Sequence, residues 1–241
     1  MTVRIAMWSG PRNISTAMMR AFENRPDCAV VDEPFYAAYL AATGLEHPMR
    51  DEVLASQPQD WRKVARALAE DAPAPVFYQK HMTHHMLPGF GLDWMTACQN
   101  AFLIRDPAAV LASYVQKRSE VTLEDIGVVR QRELFDREAD RLGRAAPVVD
   151  GADVLADPRG VLSALCAGLG IPFREEMLRW PAGRRDSDGV WAPAWYEAVE
   201  RSTGFAAPDR APKPPLTDDL ERIADQARPH YEALARFRLS S

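Results

Sequence analysis

The chain has 241 residues, 47% of them apolar, enough to bury one substantial core, and it reads as a single domain over 1–241. Its 29 basic and 34 acidic side chains give a formal charge of −5, which argues against general nucleic-acid binding while leaving room for a local basic pocket. No segment approaches the roughly 20 apolar residues of a membrane span, and the first apolar run ends too early for a signal peptide, so a soluble cytoplasmic protein is expected.

The first stretch carries the clearest signal. Val3 to Trp8 is a short apolar run, Ser9-Gly10-Pro11-Arg12-Asn13-Ile14-Ser15-Thr16 is a small, basic and hydroxyl-bearing turn, and Ala17/Met18 with Ala21/Phe22 fall at helical spacing. Strand, loop and helix in that order form a phosphate-loop arrangement, because the first turn of a helix presents unpaired N–H groups and the positive end of its dipole. Ser15 and Thr16 add hydroxyl donors, and Arg12 adds a planar charged fork suited to an oxyanion. The nucleotide-triphosphatase pattern is absent, since Arg12 stands in place of a Lys and precedes the hydroxyls by three positions.

Cys28 to Asp32 reads as a buried strand stopped by Glu33-Pro34, which sets Glu33 at a carboxyl-end rim where open α/β sheets place ligands. The stretch 37–49 is mixed, with Thr43-Gly44 as a break. Asp60 is expected to cap a helix over 61–70 with Val64, Ala67 and Leu68 inward. Val76 to Gln79 reads as a strand delivering Lys80 and His81 to the same rim. His81, His84 and His85 lack the carboxylate or cysteine partner of a zinc site, and no metal is expected.

Asn100 to Ile104 is a second strand, turn and helix unit, with Arg105 at the rim, Asp106 as N-cap, Pro107 at the first helical position and Ser113 two turns in. Thr122 opens a charged helix through about Gly143, and Pro147 to Asp150 is the last strand. Asp157-Pro158 starts a helix whose Val161, Leu162, Leu165, Cys166 and Leu169 form a core stripe ended by Gly170. From 180 to 215 the pattern lapses into Gly, Pro and aromatic residues, read as an irregular cover over the site, and Thr217 caps a last amphipathic helix over 217–237. Cys28, Cys98 and Cys166, odd in number and far apart, read as reduced core thiols. The alternation predicts a three-layer α/β/α domain around a mainly parallel sheet.

Taken together, these pieces resemble the sulfotransferase superfamily. Pro11-Arg12-Asn13-Ile14-Ser15-Thr16 is similar to its 5′-phosphosulfate loop, commonly Pro-Lys/Arg-Ser-Gly-Thr-Thr. Arg105 followed eight residues later by Ser113-Tyr114 is similar to its 3′-phosphate motif, Lys80-His81 to the strand-end Lys-Thr-His of the cytosolic branch, and Arg184-Arg185 with Gly189-Val190-Trp191 to its late Arg-Lys-Gly and Gly-Asp-Trp elements. The resemblance implies a P-loop NTPase-like sulfotransferase fold and in-line transfer of a sulfuryl group from 3′-phosphoadenosine 5′-phosphosulfate to a hydroxyl or amine of a small-molecule acceptor. It implies Arg12, Asn13, Ser15, Thr16, Arg105, Ser113, Arg184 and Arg185 as donor-binding residues, Lys80 beside the transferring or bridging oxygen, and Glu33 or His81 as base.

Two departures stand out. Ile14 replaces a loop glycine without offering its backbone freedom, and Met82 occupies the position of the cytosolic branch's histidine. An ATP-dependent phosphoryl-transfer enzyme, with Asp32 as a magnesium carboxylate, and a non-catalytic nucleotide-binding module are the alternative readings. The aromatic residues Phe35, Tyr36, Trp191, Trp195 and Tyr196 suggest a pocket for an apolar or aromatic acceptor.

Overall fold

A computed structural model of the chain describes residues 2–70, 73–115, 121–206 and 215–240. In chain order the elements are β1 Val3–Ser9, α1 Ser15–Glu23, β2 Cys28–Asp32, α2 Tyr36–Thr43, α3 Arg50–Ser56, α4 Trp61–Glu70, β3 Val76–Met82, β4 Gln99–Ile104, α5 Pro107–Tyr114, α6 Leu123–Ile126 and α7 Val128–Leu142. They continue with β5 Val148–Asp150, α8 Gly151–Ala156, α9 Pro158–Gly168, α10 Ala192–Trp195, α11 Glu197–Glu200 and α12 Asp218–Ala235. The strands form one all-parallel sheet in the order β2-β3-β1-β4-β5.

Both faces of β1 are covered, so its residues are apolar without alternating in polarity. Ile5 and Met7 face one layer with Met18, Met19 and Phe22 of α1 and the α9 stripe. Ala6 and Trp8 face the other with Val64, Ala65 and Leu68 of α4, Leu134 and Phe135 of α7, and Leu234 of α12. In α4 it is Ala65, not the expected Ala67, that is buried. Two polar side chains of the second layer pair with their neighbours: the Trp8 indole N–H donates to Asn100 Oδ1 at 2.9 Å, and Asn100 Nδ2 donates to Glu138 Oε1 at 3.0 Å.

Helix α1, which follows β1, packs on one face of the sheet, whereas α4 before β3 and α7 after β4 pack on the other, and this divergence opens a crevice at the carboxyl end of β1. Gln131 of α7 holds that end together, donating from Nε2 to the carbonyls of Trp8 at 3.0 Å and Leu103 at 2.9 Å.

Several expected boundaries shift. The single helix expected from Thr122 is two, because Gly127 takes φ +69° between α6 and α7, and a Cβ there would stand 2.5 Å from Thr83 Oγ1. Asp106 caps α5 as expected, whereas Thr217 precedes α12 without a side-chain cap bond. Helix α2 fills much of the stretch read as mixed, and α3 begins just after it. Cys28, Cys98 and Cys166 are free thiols, and burial raises the pKa of Cys28 and of Cys98 to about 12. No helix among the described residues is long and apolar enough to cross a membrane. Of the cover segment, Pro208, Pro212 and Pro214 lie outside the described residues.

Candidate active site

The loop after β1 turns back sharply. A Cβ on Gly10 would stand 2.3 Å from the Ile126 carbonyl oxygen, so glycine is required there for steric reasons. Arg12 and Ile14 both take left-handed backbone, at φ +62° and +56°. For a β-branched residue this conformation costs about 1–3 kcal/mol. Ile14 holds it while packing against the α1-side core, its side chain lying beside Gly151. The first helical bond of α1 runs from Met18 N–H to the Ile14 carbonyl, so the N–H groups of Ser15, Thr16 and Ala17 have no intrahelical acceptor, and these residues line a cavity of about 320 Å³.

Two guanidiniums meet at this end. Arg12 Nε donates to Ser113 Oγ at 2.9 Å, and Arg105 donates to the Arg12 carbonyl at 2.5 Å. Burial lowers both pKa values, and for Arg105 the neighbouring Arg12 charge adds to the effect. Among the described residues no carboxylate lies within ion-pair distance of either. Two half-buried cations without a counter-anion, beside the positive end of a helix, make a site for an oxyanion.

The other end of the cavity is a largely buried cluster of charge. Lys80 Nζ donates to Asp32 Oδ1 at 2.8 Å, Glu33 Oε1 at 2.7 Å and the Tyr196 hydroxyl at 2.6 Å. Asp32 and Lys80 are register partners across β2 and β3. Side chains alternate along a strand, yet Glu33 reaches the same ammonium as Asp32 because its φ of +40° ends the strand in a reversal. Gln57 braces that turn, donating to the Glu33 carbonyl at 3.2 Å. Burial raises the Glu33 pKa and the Asp32 charge adds to it, against the opposing pull of Lys80. Burial alone would lower the Lys80 pKa, but the charges of Asp32 and Glu33 hold it well above its usual value.

The cover closes over this cluster through named bonds. Tyr196 donates its hydroxyl proton to Asp32 Oδ2 at 2.7 Å, the Gly189 N–H donates to the same oxygen at 3.1 Å, and the Trp191 indole donates to the Tyr196 oxygen at 3.1 Å. Beneath it, Arg20 pairs with Asp188 at 2.7 Å, both side chains fully enclosed. A Cβ on Gly189 would fall 2.2 Å from the Trp191 ring, so this glycine makes room for the tryptophan.

A family described as sulfotransferase domain matches residues 3–237. The chain belongs to that family. Branched-chain-amino-acid aminotransferase-like proteins 1 and 2 of Arabidopsis thaliana are 37% and 34% identical over 222 and 234 residues, covering 90% and 95% of this chain. The chain spans only 40% and 41% of the length of those curated relatives. Among solved structures, the sulfotransferase domain from the curacin biosynthetic pathway is 18% identical with a TM-score of 0.56, over 95% of this chain and 98% of its own. The sulfotransferase domain from the Synechococcus PCC 7002 olefin synthase is 17% identical with a TM-score of 0.53, over 93% and 94%. A sulfotransferase from Alicyclobacillus acidocaldarius is 13% identical with a TM-score of 0.55, over 99% and 98%. At these identities the solved structures establish a shared sulfotransferase fold.

Within that fold, Arg12, Asn13, Ser15, Thr16, Arg105, Ser113, Glu33 and Lys80 all line the one cavity. Asn13 is turned mostly toward the sheet, donating from Nδ2 to the Leu103 carbonyl at 3.3 Å. His81 does not join them. It follows Lys80 inside β3, so its ring points to the opposite face, stacked on Trp8 at 4.4 Å and 2% exposed, and burial lowers its pKa to about 3. A neutral core imidazole with no path to the cavity is no base for this site. Arg184 and Arg185 also lie away from it; Arg185 donates to the Pro181 carbonyl at 3.1 Å. Of the aromatic residues, Tyr36, Trp191, Trp195 and Tyr196 line the cavity, whereas Phe35 packs against Trp94 at 5.3 Å in the core.

Sequence reasoning missed three participants. Asp32 is fully engaged by Lys80, Tyr196 and Gly189, which leaves it no free oxygen for the magnesium role considered above. Tyr196 was read only as part of an aromatic wall. His85 lines the cavity, stacks on Tyr36 at 4.5 Å and has Nδ1 buried without a partner; burial holds it neutral, with pKa well below 6.5. Its place follows from a short 3₁₀ turn over Thr83–His85, which no local pattern announced. Among the described residues no three His, Cys, Asp or Glu side chains stand close enough to hold a metal.

Proposed function

We propose that this sulfotransferase-family chain moves a sulfuryl group from 3′-phosphoadenosine 5′-phosphosulfate to a hydroxyl or amine of a small-molecule acceptor. The observation that carries the reading is one cavity with two opposite ends: Arg12 and Arg105, neither in an ion pair among the described residues, at the N-terminus of α1, and the Glu33–Lys80 cluster under an aromatic cover. Arg12, Ser15, Thr16 and the first N–H groups of α1 suit the 5′-phosphosulfate, and Arg105 with Ser113 suits the 3′-phosphate. That Arg12 and Ser113 already bond each other supports one continuous anion cradle spanning both phosphates.

In the transfer, the acceptor oxygen or nitrogen forms a bond to sulfur as the bond from sulfur to the 5′-phosphate oxygen breaks, and the acceptor proton must leave. Glu33 takes that proton; its raised pKa brings it nearer the working range of a general base. The cradle neutralises charge growing on the leaving phosphate. Lys80 keeps an ammonium beside the transfer point, and the cover excludes water.

Glu33→Gln keeps the shape and removes the base. With the sulfated donor and a panel of alcohols and amines, wild type releases adenosine 3′,5′-bisphosphate in step with sulfated product. The variant is expected to lose turnover by about 100-fold or more while binding the bisphosphate as wild type does. Full turnover in the variant overturns the role of Glu33.

A further inference from the structure

Asp32 and Glu33 share one buried ammonium, and the trio carries one negative charge too many. Uncompensated charge is expensive at such a place, and the arrangement is relieved by one proton. Hydrogen bonding decides which oxygen receives it. Asp32 accepts from Lys80, from the Tyr196 hydroxyl and from the Gly189 N–H. Glu33 accepts from Lys80 alone at normal length, because the Tyr196 oxygen is 3.5 Å away and its single proton points at Asp32. Among the described residues the second oxygen of Glu33 has no donor at all. Glu33, with a single donor, is the carboxyl less held in its charged form by hydrogen bonds. Access follows the same division, since Glu33 lines the cavity and Asp32 does not.

We propose that Asp32, which touches no part of the cavity, is the positioning residue that makes Glu33 the proton-accepting carboxyl of this site. Asp32 does this by occupying Lys80, Tyr196 and the Gly189 amide while adding its own negative charge next to Glu33. Besides Lys80 and Tyr196, the charged or titratable groups that line the cavity with Glu33 are Arg12 and Arg105 at its opposite end and Tyr36, His47, His84, His85 and Tyr114 along its wall. The inference rests on Glu33 being the base of the proposed transfer, but its geometry does not depend on any acceptor.

The test separates the two. Carboxyl ¹³C titration of the whole chain, labelled at glutamate and at aspartate, needs neither donor nor acceptor, and Glu33→Gln assigns the Glu33 signal. In wild type the Glu33 carboxyl is expected to titrate above the other glutamates. In Asp32→Asn its midpoint falls by at least about one pH unit, as the second negative charge is gone and Glu33 is left as the one carboxylate bonded to Lys80. Should Asp32→Asn fail to fold, Tyr196→Phe removes one donor from Asp32 and keeps both carboxyls; a proton then shared with the Asp32 signal is expected. An unmoved Glu33 midpoint in Asp32→Asn, or an Asp32 signal that already carries the proton in wild type, overturns the proposal. Where turnover is measurable, the acid limb of kcat/KM moves down with Asp32→Asn, whereas a merely structural role lowers the rate and leaves the limb in place. Failure of sulfuryl transfer with the titration as described removes the function and leaves the carboxyl assignment standing.

Discussion

Replacing His81 with Phe gives a direct reading of what this buried imidazole costs in acid. In the folded chain burial lowers its pKa to about 3, against about 6.5 in an unfolded chain. A base with depressed pKa contributes stability that is complete above the unfolded value and is lost as pH falls toward the folded one. At pH 5 the unfolded imidazole binds its proton and the folded one does not, a penalty of about 2 kcal/mol. That figure is insensitive to the folded value as long as it lies below about 4. Phe keeps an aromatic ring against Trp8 and Trp94, whose ring centroids lie 4.4 and 5.2 Å from His81, and gives up the contact of His81 Nε2 with Gln79 Oε1 at 3.2 Å. Urea unfolding of both proteins at pH 7.5 and pH 5.0 is the assay. Wild type should lose about 2 kcal/mol more than His81→Phe between the two conditions. Equal losses would mean that His81 is solvated or protonated when folded, and would return it to consideration at the site.

Other consequences follow from backbone and packing. Ile14→Gly and Ile14→Ala discard the same side-chain contacts, but only glycine takes φ +56° without strain. The glycine variant should be the more stable by about 1 kcal/mol in urea, reversing the order found inside helices; an alanine variant that is equal or better refutes the strain. Gly189→Ala drives a methyl group into the Trp191 ring. It should cost about 1–3 kcal/mol and shift tryptophan emission as the ring is displaced, and an unchanged midpoint and spectrum would show that the cover yields freely.

The strands were legible because a sheet covered on both faces writes itself as short apolar runs, and all five expected runs are strands. The helices with one wet face, α4, α9 and α12, were legible from their stripes. Helix α2 was not: Tyr36, Ala37, Ala38, Tyr39 and Leu40 are all buried, so no amphipathic period exists to be seen. The break at Gly127 was hidden because one glycine in a charged helix is tolerated as often as it is a cap. At the site, rim positions of Arg12, Glu33, Lys80 and Arg105 came from strand ends alone. A strand that ends at Gln79 misplaces His81; extended to Met82, period-two alternation puts Lys80 and His81 on opposite faces. The joint arrival of Asp32 and Glu33 at one ammonium depends on a left-handed turn at a glutamate, which no propensity announces.

The most direct test of the account is calorimetric titration of the purified chain with adenosine 3′,5′-bisphosphate and with ADP, in wild type and Arg105→Ala. The account predicts that wild type prefers the bisphosphate and that Arg105→Ala loses roughly 10- to 100-fold for it, the worth of a charge-assisted bond to phosphate, with ADP scarcely affected. Equal binding of the two nucleotides by wild type, or a preference that survives Arg105→Ala, would contradict the donor site at the heart of the proposal.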